Sequence, residues 1–179
     1  MRGRFGHPYL YVEVTPSTQR LLGDEHNQGT VAVTEEQTEG RGRLGRSWHS
    51  PPGVSLLFSI LLEPPVETPR LPELSLVAGQ ACAGAIAAVA GVTPEIKPPN
   101  DVLISGRKVA GILAEAREGR VVLGIGVNVN VAEDDLPTEV DLPATSLLVE
   151  TGHEIDRAEL LVELLDRLER AYDDWATGA

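Results

Sequence analysis

The chain has 179 residues, 42% hydrophobic and only 4% aromatic, which fits one globular domain with a core of Val, Leu, Ile and Ala. A formal charge of -12 excludes polyanion binding over the whole surface, because nucleic-acid affinity comes largely from Lys and Arg neutralising phosphates. Cys82 is the only cysteine, which excludes an internal disulfide and a cysteine-based metal framework and suits a reducing, cytoplasmic compartment.

The N-terminal MRGRFGHPYLYVEV carries no apolar core of signal-peptide length. Tyr9 to Val14 alternates and is rich in Tyr and Val, predicting a strand ended by Pro16. Ser17 or Thr18 then stands where a helix N-cap belongs, before the short run QRLLGDE. Thr30 to Glu35 (TVAVTE) reads as a buried strand leading into Gln37 and the stretch Gly40 to Trp48, GRGRLGRSW. There, three arginines alternate with three glycines. Glycines let backbone N–H groups approach an anion and guanidinium groups supply planar, permanently charged donors, so the stretch suits a phosphorylated ligand. A solvated basic turn or a nucleic-acid contact would show the same composition.

Pro51, Pro52 and Gly53 force a turn, and Val54 to Leu62 (VSLLFSILL) is the continuous apolar run of a central strand. Leu71 to Val89 carries small residues throughout, the pattern of a helix packed closely on a sheet, and Cys82 within it reads as a small buried side chain rather than a nucleophile. The Ala-rich part near residue 85 is interrupted by glycines and reads as too short to span a bilayer. From Glu95 the pattern predicts a strand to Lys97, a Pro-Pro-Asn-Asp corner, a strand Val102 to Ile104, a tight turn at Ser105-Gly106, and strands Lys108 to Ala116 and Arg120 to Val127 joined at Glu118-Gly119. Asn100, Asp101, Lys108 and Asn128 recur at strand ends, where a sheet would present them to a common cleft. Asn100-Asp101 has an equally good reading as a turn bonding its own backbone. Val131 to Pro143 reads as an acidic loop and Thr145 to Glu150 as a short helix. Asp156 caps an amphipathic packing helix, Arg157 to Trp175. His7, His26, His49 and His153 are scattered, and no spacing marks a dedicated metal site or a hydrolase triad.

GRGRLGRSW at 40–48 followed by SPPGVSLLFSILL, then PPNDVLISGRKVAGILAE at 98–115 and GIGVNVN at 124–130, with Ser17-Thr18 and Gln37 in place, together resemble the biotin protein ligases. The resemblance implies an α+β fold with a mixed, largely antiparallel central sheet flanked by helices, similar to class II aminoacyl-tRNA synthetases. It implies that biotin and ATP form biotinyl-5′-AMP and pyrophosphate, and that a lysine of a biotin carboxyl carrier domain then takes the biotin. Bringing a carboxylate to the α-phosphate joins two anions, so fixed cations are the chief requirement.

By this resemblance Lys108 and Arg43 are catalytic, Lys108 matching the lysine of RKxAGIL. The biotin site is implied to comprise Ser17, Thr18, Gln37, Gly40, Arg41, Arg43, Lys108, Gly111 and Ile112, with the last two offering backbone and apolar surface. The ATP site is implied to comprise Arg43, Arg46, Trp48, Asn100, Lys108 and Asn128, with Trp48 against adenine and magnesium arriving with ATP. The whole of 1–179 then reads as one catalytic domain, without an N-terminal DNA-binding domain and without the family's small C-terminal β-domain. No nucleic acid or membrane partner is expected, and a homodimer is left open. The chain departs from the family at Pro98, where KWPND has tryptophan, and weaker apolar packing around biotin is expected there. A lipoate or octanoate ligase-like acyltransferase, or a biotin-binding module without turnover, are the alternatives.

Overall fold

A computed structural model describes residues 3–65, 71–138 and 142–178. Its strands are β1 (Tyr9–Thr15), β2 (Val31–Gln37), β3 (Ser55–Leu62), β4 (Glu95–Lys97), β5 (Asp101–Ile104), β6 (Arg107–Arg117) and β7 (Arg120–Asn128). They form one seven-stranded sheet in the order β1-β2-β3-β7-β6-β5-β4. Only β1 and β2 run parallel; every other neighbouring pair is antiparallel, as the expected mixed α+β architecture requires. The turns at Ser105-Gly106 and Glu118-Gly119 both take positive φ at both residues, the left-handed pair that matches strand twist in a two-residue hairpin.

Three helices follow in chain order: α1 (Leu71–Ala90), α2 (Leu147–Thr151) and α3 (Arg157–Thr177). The long helices α1 and α3 cover one face of the sheet. β3 shows how the layers arise, because alternate residues point to opposite faces. Leu56, Phe58, Ile60 and Leu62 join the main core with Ala78, Cys82, Ala85 and Ile86 of α1 and Leu160, Leu164 and Leu168 of α3. Leu61 belongs to a second cluster on the other face with Leu22, Ala32 and Val122. Being covered on both sides, β3 is buried along its whole length, which is why its sequence is continuously apolar.

α3 starts where Asp156 Oδ1 accepts from the N–H groups of Ala158 and Glu159, and it stops at Gly178 with φ 73°. Arg4 ties the N-terminal segment to α3 through Glu169 and Asp173, while Phe5 packs against Tyr172 with ring centroids 5.7 Å apart.

Three expectations need correction. α1 is long and apolar enough to cross a membrane by length and composition, so the glycines did not make the stretch too short; half of it is buried, against the sheet and α3, which is how a core helix meets the same test. Ser17 does occupy the N-cap position of a one-turn 3₁₀ helix, Thr18–Leu21, but its side chain makes no capping bond. The expected loop from Val131 contains a 3₁₀ turn at Glu133–Asp135, and its residues 139–141 lie outside those described.

Candidate active site

The sheet face opposite the helices carries the site, and the alternation of β6 and β7 makes it. In β7 the large residues Val121, Leu123, Ile125 and Val127 turn into the main core, leaving Gly124, Gly126 and Asn128 on the other face. β6 places Gly111 beside Gly126 and Leu113 beside Gly124 in register. The result is a trough whose floor is largely main chain. Trp48 lies in it: a methyl group on Gly126 would come within 2.8 Å of the indole Cε2, and one on Gly111 within 3.1 Å of Cζ3. The indole N–H is buried there with no hydrogen-bond partner, a donor available to a polar ligand.

One end of the trough holds the predicted polar group. Ser17 and Thr18 are buried. The Thr18 hydroxyl lies 2.8 Å from the Ser59 hydroxyl, and Thr18 N–H donates to Gln37 Oε1 at 2.9 Å. The other end is charged. Lys108 Nζ sits 2.7 Å from Asp101 Oδ1, an ion pair whose angles do not suit a hydrogen bond, and 5.6 Å from the centroid of the Trp48 ring. Arg43 reaches across to donate to Asn100 Oδ1 at 3.2 Å, and Asn100 in turn donates to the Ile112 carbonyl. Asn100 therefore ties the corner to the loop and to β6, and Asp101 faces Lys108.

The Gly40 to Trp48 loop folds back on itself. Trp48 N–H donates to the Gly40 carbonyl at 2.9 Å, Gly42 N–H to the Arg46 carbonyl at 2.7 Å, and Arg41 bridges Ser47. Gly40 has no room for a side chain, since a Cβ would lie 2.3 Å from the Trp48 carbonyl oxygen. Arg43, Leu44 and Arg46 are exposed, and Leu44 takes a φ of 58°, strained for a residue with a side chain. A cleft of about 720 Å³ runs along this loop and the β6 residues Leu113 to Glu115. It borders the arginines but not Lys108.

Most of the expected residues thus converge, with differences at Ile112, Asn128 and Pro98. The Ile112 side chain points away from the trough and is 1% exposed in the main core, so only its main chain faces a ligand. Asn128 is buried and donates through Nδ2 to the Thr145 carbonyl, which leaves Oδ1 for other use. Pro98 is exposed at the β4–β5 corner.

Gln19 was missed. Although it is only 3% exposed, its Nε2 donates to the Leu113 carbonyl at 2.9 Å and its Oε1 accepts from Arg41, which also pairs with Glu115. A Cβ on Gly124 would collide with Gln19 Nε2 at 2.8 Å, so the glycine makes room for the amide. The signal available in the sequence was a glutamine directly after Ser17-Thr18, which a surface-helix reading hides.

Cys82 is fully buried in α1, and burial pushes its thiol up to about 12, far from the thiolate that a nucleophile needs. Among the described residues no group of three His, Cys, Asp or Glu side chains could hold a metal ion.

Residues 11–131 match the family model described as the biotin/lipoate A/B protein ligase family. A bifunctional ligase/repressor BirA from Bacillus spizizenii is 41% identical over 181 residues, covering 96% of this chain and 56% of the relative. A biotin–[acetyl-CoA-carboxylase] ligase from Mycobacterium tuberculosis is 40% identical over 153 residues, covering 82% and 55%. The chain therefore spans just over half the length of these curated relatives. Among solved structures, a biotin protein ligase from Aquifex aeolicus in complex with biotin and ATP superposes with a TM-score of 0.86 at 36% identity, covering 94% of this chain and 72% of that one. The chain belongs to the biotin/lipoate A/B protein ligase family and stands among its biotin protein ligases.

Proposed function

We propose that the chain activates biotin with ATP to give biotinyl-5′-AMP and pyrophosphate, and transfers the biotin to a lysine of a carboxylase's biotin carrier domain. The observation that carries this reading is the glycine-floored trough with neutral hydrogen-bonding groups at one end and Lys108 at the other. A ureido ring asks for neutral donors and acceptors, which Ser17, Thr18 and Gln37 supply, while the bare floor at Gly111 and Gly126 leaves room for the Trp48 indole that walls the trough.

The biotin carboxylate would then lie toward Lys108. Its ammonium neutralises that carboxylate and the α-phosphate together as they approach, exchanging the Asp101 contact for the ligand's charge. Arg43, already across the trough at Asn100, adds a forked donor for the carboxylate and α-phosphate, and Arg46 one for the remaining phosphates. The carboxylate oxygen attacks the α-phosphorus and pyrophosphate leaves with the bonding electrons. Trp48 offers its face to adenine, and Asn128 Oδ1 an acceptor to the nucleotide. The donor set consists of cations and neutral amides, with its one carboxylate engaged by Lys108, so it suits a polyphosphate carrying its own magnesium rather than a bare metal ion.

In the second step the carrier lysine attacks the acyl carbon, forming the amide as AMP departs and the amine proton is lost. The arginine loop is where an acidic chain can approach a protein whose net charge is -12. A cysteine-dependent acyltransferase is disfavoured because Cys82 is buried beneath the opposite face. The test is ATP–pyrophosphate exchange. Biotin-dependent exchange is expected; exchange supported by lipoate instead would move the chain to another substrate, and biotin binding without exchange would leave a binding module.

A further inference from the structure

Lys108 lies at a gap in the sheet. β7 pairs with β6 only from Ala110, opposite Val127, so it has ended before Lys108. On the other side, β5 steps from Ala110 opposite Val102 to Lys108 opposite Leu103, skipping Val109 in a bulge. Left there, the main chain of Lys108 would be unpaired on the β7 side, and its ammonium would swing on a loose end.

The segment 143–145 takes the vacant place. Lys108 N–H donates to the Pro143 carbonyl at 2.7 Å, and Thr145 N–H donates to the Lys108 carbonyl at 2.8 Å, a parallel bridge centred on Ala144. This one-residue strand is anchored in turn. The Thr145 hydroxyl, fully buried, donates to Glu150 Oε1 at 2.6 Å, and Arg107 donates to the same oxygen at 2.8 Å. The Thr145 carbonyl accepts from Asn128 at 3.0 Å, and Ser146 donates to the Val131 carbonyl while capping α2, the helix that carries Glu150. Arg107 and Thr145 flank Lys108 along the chain and across the bridge, and one carboxylate holds both.

We propose that Thr145 and Glu150 are positioning residues for Lys108: they fix the 143–145 strand that closes the gap in β6 and so set where the ammonium points. Neither side chain touches the trough. The inference about rate rests on the ligase reading given above, whereas the clamp itself does not, and two readouts separate them.

Amide hydrogen exchange is measured on the unliganded protein. Thr145→Val and Glu150→Gln should each speed exchange at the Lys108 and Thr145 amides at least about tenfold, while Phe58 and Ile60 in β3 keep the wild-type rate, because local opening is reported separately from global unfolding. In biotin-dependent pyrophosphate exchange the same variants should lower kcat about tenfold with KM for biotin changed less than about twofold, the split for a group that acts only as charge develops. Thr145→Ser, which keeps the hydroxyl, should restore both. Unchanged Lys108 amide exchange, a parallel rise across β3, or a higher KM at intact kcat would each overturn the proposal. Absence of any exchange reaction in the wild-type protein would overturn the ligase reading instead, with the amide measurement still deciding the clamp.

Discussion

Lys108 Nζ is held 2.7 Å from Asp101 Oδ1 while also facing the Trp48 ring at 5.6 Å. A carboxylate on one side and a π face on the other keep a compact cation in place at the mouth of the trough. Both charged side chains are mostly buried, at 26% and 18% exposure, so their attraction is only partly screened. An incoming carboxylate and phosphate offer the ammonium a larger negative charge than Asp101 alone. On the ligase reading Asp101 is the resting partner, and the ion pair aims Lys108 before substrates arrive.

Replacing the lysine tests that directly. Lys108→Ala is expected to lower biotin-dependent pyrophosphate exchange by at least about 100-fold, the size seen when one preorganised charge or donor is removed from a reacting centre. Lys108→Arg should recover little, because a planar fork cannot sit as a point charge between Asp101 and the indole. Circular dichroism of both variants should match wild type; an active Lys108→Ala protein would remove Lys108 from the mechanism.

Gly126 tests the trough floor. An alanine there meets the Trp48 indole at 2.8 Å, and the indole belongs to a loop with exposed neighbours, so it can move aside at little cost to the fold. Gly126→Ala is expected to raise KM for ATP about tenfold, the loss of roughly 1.4 kcal/mol of binding, with a melting temperature near wild type. In a Trp175→Phe background the Trp48 fluorescence should shift to the red as the ring becomes wetter. Unchanged KM for ATP would mean that Trp48 does not hold the nucleotide.

Most of the fold was legible because its signals are local. Alternation at Tyr9 to Val14 and the continuous apolar run of β3 placed those strands, Ser105-Gly106 and Glu118-Gly119 placed the hairpins, and Asp156 marked the start of α3. Most of the residues that resemble biotin protein ligases also came together, since they sit at strand ends, in the loop or, like Gly111, on the strand face that the sheet gathers on one side. What the sequence hid were side chains whose role depends on distant partners. Ile112 looks like its neighbour Gly111 until strand parity turns it into the helix layer. Gln19 and Glu150 look like ordinary surface polar residues. Gln19 reaches Leu113 across 94 positions, and Glu150 meets Arg107 across 43. No periodicity carries such pairings.

Alkaline stability should depend on Cys82. Burial holds its thiol at about 12 in the folded chain, against 9.0 for the ordinary group, because the thiolate would lose its hydration inside α1. A raised folded value contributes stability that is complete below the unfolded value and is lost as pH climbs toward the folded one. Tyr172, also pushed up to about 12 by burial first and by Asp173 next, acts in the same direction. Between pH 8 and pH 10 the thiol alone should lower unfolding free energy by about 1.4 kcal/mol, and Cys82→Ala should flatten the decline. Urea titrations at the two pH values measure it; parallel slopes for wild type and variant would refute the assignment.

The loop's own anchorage is open to proteolysis. Arg41 is tethered to Gln19 and Glu115 and Arg43 to Asn100, yet Arg41, Arg43, Leu44 and Arg46 are all exposed, so trypsin should cut the unliganded protein first within residues 41–46. Biotin with ATP should slow that cleavage at least about tenfold if the arginines close on the acyl phosphate, since charge-assisted bonds to several phosphate oxygens oppose opening. Gln19→Leu keeps the volume but leaves the Leu113 carbonyl without its donor and Arg41 with Glu115 alone, and it should accelerate cleavage in the absence of ligands about fivefold. The variant should still be protected by biotin and ATP, because Arg43 and Arg46 are untouched. Equal cleavage of wild type with and without ligands would show that the arginines do not clasp them, and a Gln19→Leu protein cut no faster would show that the loop is held from elsewhere.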